Sequence, residues 1–224
     1  MSNALVVTDN KKLPAHVTAA QGGGRGNEDV GAEHLTIPRI KLLQKMSDEV
    51  DKHHDNYVEG AEVGDFINNL TLELYGGTMY VMNIKFTEDF VVWRKREAGG
   101  GFLGSFKSEA EANARIAEEE KPGDYDVTQT HSHIMVILDP ETGEPSRPVS
   151  MDFNSSKLRV SRNWNTQIGL KGGDRFSGVW ALKSKQTQNR AGNAFMTLEV
   201  DWVGWATDEN YKMAEGYYES FQNS

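Results

Sequence analysis

No cysteine occurs in the 224 residues, which excludes disulfides, thiolate zinc sites and a cysteine nucleophile. Apolar residues are scarce at 38 %, and mean hydropathy is -0.60, so part of the chain is expected to stay outside a packed core. No run approaches the ~18 apolar residues of a membrane span. Residues 1–19 hold no long apolar stretch behind a basic region, so no signal peptide is expected. Gly99-Gly100-Gly101 and Gly172-Gly173 are not followed by Lys-Ser or Lys-Thr, and no Gly-x-Ser-x-Gly elbow is present. These absences remove the phosphate-binding loop and the hydrolase nucleophile turn. Positive charge is also short overall. The net charge of -9 and pI near 5.2 argue against coating duplex DNA by bulk charge.

What is present is a local exception to that acidity. From Phe153 to Leu198 the chain carries Lys157, Arg159, Arg162, Lys171, Arg175, Lys183, Lys185 and Arg190 against the single acid Asp174. This segment is +7, so the remainder is -16. Trp164, Phe176, Trp180 and Phe195 are interleaved with the cations. Cations beside flat rings on an otherwise phosphate-repelling chain suggest a confined nucleic-acid groove. The plainer reading is a basic face that balances an acidic one, with the rings in the core.

Residues 1–33 read as a disordered tail, with Gly22, Gly23, Gly24 and Gly26 around Arg25. Residues 34–224 read as one domain. Strand patterns are expected at 64–74, 79–86, 90–93, 134–138, 149–153, 176–185 and 194–205. Gly76-Gly77 suits a hairpin turn. Ser108, with Glu111 three residues on, predicts a capped acidic helix over about 108–121, stopped by Pro122-Gly123. Val160, Trp164 and Ile168 at helical spacing predict a helix over 156–170 whose stripe is core. A last helix is expected over 208–221. About seven short strands with inserted helices predict a mainly β protein, as a small barrel or sandwich.

Three constellations carry candidate chemistry. Trp93-Arg94-Lys95-Arg96 ends a strand, and a glycine loop then presents Phe102, Phe106 and Lys107. Cations neutralise phosphates, and exposed rings stack on unpaired bases for about 1–3 kcal/mol each. Lys157, Arg159 and Arg162 form the second, as phosphate contacts on the 156–170 helix. Lys183, Lys185 and Arg190 surround a polar hairpin loop, with Trp180 and Leu182 on the opposite strand face. Trp180 joins Trp93, Phe102 and Phe106 as a ring expected to stack. Trp202 and Trp205 are expected in the core or at its rim. His131 and His133 share a strand face; surface histidines are the plain reading, and a two-histidine metal site lacks an evident third ligand.

Residues 35–44 (Leu-Thr-Ile-Pro-Arg-Ile-Lys-Leu-Leu-Gln), Gly64-Asp65-Phe66, Trp93-Arg94 and the run from Ser155 to Asn165 resemble an arrangement in bacteriophage single-stranded DNA-binding proteins of the oligonucleotide-binding (OB-fold) kind. The resemblance spans about residues 35–221. It implies a five-stranded OB-fold-like barrel with inserted and C-terminal helices. It implies non-catalytic, sequence-independent binding of single-stranded DNA in phage replication or recombination, in the host cytoplasm. No cofactor or metal is expected. The partners would be single-stranded DNA, with replication or recombination proteins as further candidates and no membrane. The C-terminus departs from such proteins in being only mildly acidic. Two other readings stay open: a phage structural or host-interaction protein that docks through the acidic helix and tail, and a hydrolase with scattered residues.

Overall fold

The structure, a computed structural model, describes residues 36–222. The tail expected over 1–33 lies outside the described residues. The longest strand, β3 (Thr78–Arg94), organises the rest. Two strands are expected here, parted by Thr87-Glu88-Asp89. A single 17-residue strand forms instead. Those three polar residues pair with Ser132, His131 and Thr130 of β5 (Tyr125–Leu138), so the ladder satisfies their backbone and overrides weak strand propensity.

The main sheet is antiparallel, in the order β6 (Val149–Asn154), β5, β3, β7 (Gly178–Gln188), β8 (Ala194–Trp205). β7 occupies one side of β3 only over Thr78–Met82, and β4 (Phe102–Phe106) takes up the same side further on. The glycine loop expected to present Phe102 and Phe106 is thus partly a strand. β1 (Ile40–Leu42) and β2 (Phe66–Asn68) form a separate two-stranded sheet. The strand expected over 64–74 is shorter because the chain turns after Asn68, whose side chain accepts the Leu70 and Thr71 amides, and Leu72 sits at φ 59°.

The protein is therefore mainly β, as expected, but a closed barrel is not found among the described residues. The sheet is an open path with β6 and β8 at its ends. The Pro38–Gln44 segment touches both ends. Ser150 of β6 donates its amide to the Pro38 carbonyl at 2.8 Å. The Gln44 side chain donates to the Met196 carbonyl at 2.9 Å and accepts the Met196 amide at 2.8 Å, imitating a strand residue at the edge of β8.

Three helices cover the sheet: α1 (Glu109–Ala117), α2 (Leu158–Lys171) and α3 (Asp208–Ser220). The Ser108 hydroxyl accepts the Glu111 amide, and the Glu111 carboxylate accepts the Lys107 amide, completing the expected cap of α1. Phe66, Val81, Met135, Phe153, Trp164 and Trp180 form the main core beneath α2, where each full burial contributes about 1.5–3 kcal/mol. Met82, Ile84, Val136 and Phe176 pack against α3 on the other sheet face, and Val92 packs against Ala112 and Ile116 of α1. From Ile37 onward the described residues form one compact unit.

Candidate nucleic-acid interface

The far end of β3 realises part of the first constellation. Trp93 is 46 % exposed and Phe102 61 %, with ring centroids 5.4 Å apart. A bulge positions them. Val92 pairs with Gly104, but Trp93 pairs with Phe102, so Leu103 is the extra residue. It turns Phe102 to the face opposite Val92 and the α1 core. Phe106 keeps the original register opposite Phe90 and packs in that core, with Gly104 leaving room for its ring. The expectation that Phe106 stacks on bases is therefore corrected.

The cations around these rings are largely engaged. Arg94 approaches Asp124 at 3.8 Å. Lys95 approaches Asp126 at 3.6 Å and donates to the Gly123 carbonyl. Lys107 pairs with Asp89 at 2.7 Å. Arg96 is exposed and makes no ion pair among the described residues.

The basic strand face is neutralised in the same way. Lys183 pairs with Asp201 at 2.8 Å and Lys185 with Glu199 at 3.0 Å, diagonally across β7 and β8. Arg190 lies exposed in the connecting turn. Trp180 points the other way, as its alternation with the lysines requires, and is 1 % exposed. It packs between Trp164 and Trp202 and cannot meet a base from the surface. That expectation is also corrected.

Helix α2 differs from every other charged element. It carries no carboxylate, and neither Lys157 at its start nor Arg159, Arg162 or Lys171 makes an ion pair among the described residues. Burial lowers the Lys157 ammonium below the usual lysine range, only partly opposed by Asp152, and it donates to the Asp152 carbonyl at 3.0 Å. Arg162 donates to the Gln129 side chain at 3.1 Å. Arg159 is exposed and lines a cleft of about 420 Å³ between α2 and the β7–β8 hairpin, with Asn163 and Gln167 on the helix side and Phe195, Thr197 and the paired Lys185 and Glu199 on the strand side. A second cleft of about 500 Å³, lined by Arg39, Lys41 and Lys157, shares Ser156 and Phe195 with the first. Arg39 and Lys41 are held by Asp152 and Glu49.

Beneath α2 lies a polar chain that sequence reading placed at the surface. His131 and His133 are both buried, and both hydrogen-bond the buried Ser161 hydroxyl, at 2.8 and 2.7 Å. One direction of donation satisfies every group. Arg175 donates to the Asn83 carbonyl oxygen, Asn83 Nδ2 to His133 Nδ1, His133 Nε2 to Ser161, Ser161 to His131 Nδ1, and His131 Nε2 to Glu88. Burial, reinforced by the charges of Arg175 and His131, pushes the His133 imidazole down to about 3. All four ring nitrogens are occupied within this chain, so the pair offers no lone pair to a metal. The acid–His–Ser order resembles a hydrolytic triad, but Ser161 is fully buried. The signal that could have located the chain is the parity of β5, which turns His131 and His133 to the same face as Met135, in the core.

A mainly antiparallel β protein with a carboxylate-free cationic helix packed on one face of its sheet is the class these features define. The chain belongs to the Pam3 phage gp34-like protein family, whose family model matches residues 7–224. No curated protein and no solved structure matches it.

Proposed function

We propose that this protein binds single-stranded DNA without sequence preference and without catalysis, in phage DNA replication or recombination. The observation that supports it best is the positive charge of α2, which makes no ion pair among the described residues and whose Arg159 lines the α2–β8 groove, on a chain whose net charge is -9. Lys41, Lys95, Lys107, Lys183 and Lys185 have carboxylate partners, whereas Arg159, Arg162 and Lys171 gather on one helix without an ion pair among the described residues, so phosphates meet less competition at α2. Arg159, Arg162 and Lys157 take the phosphate role, and the exposed Trp93–Phe102 pair with Arg96 offers a separate stacking surface on the outer sheet face. A curled sheet of the oligonucleotide-binding kind belongs to the same reading. The Pro38–Gln44 segment, touching both edge strands, is compatible with it.

The test uses a fluorescein-labelled thymidine 15-mer and a matched duplex, followed by anisotropy at two salt concentrations. Wild type should bind the single strand, more weakly at high salt, and leave the duplex free. Replacing Arg159 and Arg162 by Glu should lower affinity at least tenfold, while Lys183→Ala changes it by less than about threefold. Wild-type anisotropy that stays flat at low salt would reject the reading.

A further inference from the structure

The helix and the strand that line the α2–β8 groove run on past it. On the helix, the next residues in the Asn163–Gln167 row are Leu170 and Lys171, three and four positions on. On the strand, the next residue on the Val200 face is Trp202. These continuations meet, because the Lys171 ammonium sits 4.6 Å from the Trp202 ring centroid. Trp202 is seated tightly there. A Cβ at Gly178 would fall 2.3 Å from its ring, so only glycine leaves the space. Trp205 stands edge-on to Trp202, centroids 5.0 Å apart, and is 59 % exposed. The bulge between Val179 and Trp180 sets Trp205 opposite Gly178, on the same face as Trp202.

We infer that Trp205, backed by Trp202 and Lys171, is a base-stacking platform at the far end of the α2–β8 groove. The inference rests on the single-strand reading above and adds the place where a base is held. The charge pattern suits a nucleic acid rather than an acidic or apolar protein surface. Lys171 has no carboxylate partner, Asp174 is engaged by the Tyr211 hydroxyl at 2.6 Å, and Glu199 is engaged by Lys185. A large indole held half in solvent by a rigid ring beneath it presents a π face at little ordering cost, and a cation at its margin meets the phosphate of the same nucleotide. The row Arg159, Asn163, Gln167, Lys171 spans about 18 Å, so the Arg159 phosphate contact and the platform lie along one path.

The test compares wild type, Trp205→Ala, Trp205→Phe and Trp93→Ala, in the full chain, for binding of the labelled thymidine 15-mer. A 15-mer carrying 5-iododeoxyuridine is photo-crosslinked in parallel, and the modified residue is identified by mass spectrometry. Unchanged circular dichroism and thermal midpoint show that each variant is folded. Expected is a loss of about 5-fold or more for Trp205→Ala, recovery with Trp205→Phe, and crosslinks on Trp205 or Trp202. Wild-type affinity in Trp205→Ala, with crosslinks on Trp93 or Phe102, overturns the platform and leaves the binding reading standing. Failure of wild type to bind the single strand overturns both.

Discussion

At the scale of single residues, side-chain chemistry was legible but its orientation was not. Trp180, Lys183 and Lys185 alternate on β7, and that alternation separates the ring from the cations. It does not say which face meets solvent; the answer came from Trp164 and Trp202, which enclose Trp180. His133 is the reverse case, a polar residue in the core because Asn83 and Ser161 satisfy it there. Its burial has a measurable consequence. The folded imidazole titrates at about 3, whereas the unfolded chain takes up the proton near 6.5. Between those values the unfolded state holds more protons, so this group's contribution is complete above pH 6.5 and declines as pH falls. The slope is up to about 1.4 kcal/mol per pH unit. His133→Gln should lower stability at pH 7.5 but show a shallower loss between pH 6 and 4 in urea unfolding. Parallel acid limbs for variant and wild type would contradict the assignment.

At the scale of elements, the local signals were strongest where the chain decides alone. The Ser108–Glu111 cap, the Val160–Trp164–Ile168 stripe and the 194–205 strand all follow from neighbours in sequence. The glycine-rich connection before Phe102 concealed a strand, because pairing with β3 supplies what propensity lacks. The register shift there, and with it the outward turn of Phe102, has no counterpart in the local pattern. Gln44 is a further case in which a side chain does the work of a strand. Gln44→Ala removes both side-chain hydrogen bonds to Met196 and leaves its amide and carbonyl without their partners. A destabilisation of about 1–3 kcal/mol is expected in urea unfolding, with faster hydrogen exchange at Met196. A variant with wild-type stability and exchange would show that the Gln44 contact does not hold the β8 edge.

At the scale of the whole molecule, the charge distribution is what matters. The sequence shows a +7 segment within a -9 chain, and the fold then divides that segment. Lys183 and Lys185 are cancelled across strands, while the cations of α2 make no ion pair among the described residues. If three or four of them contact phosphates, log K against log salt concentration for the single strand should have a slope of about -2 to -3. A slope steeper than about -5 would mean that the ion-paired lysines also bind, with their carboxylates displaced. A slope near zero would remove phosphate contact from the mechanism.

Composition and periodicity alone settled the mainly β class, the Ser108 cap of α1, the core stripe of α2 and the net positive charge of one segment. Each depends on residues near in sequence or on a simple sum over the chain. Only the tertiary structure decided which cations remain unpaired, which tryptophans reach solvent, and that the sheet is an open path rather than a closed barrel. Those properties depend on partners far apart in sequence, such as Lys85 with Phe221 or Gln44 with Met196, and a one-residue bulge is enough to turn a ring from one face to the other.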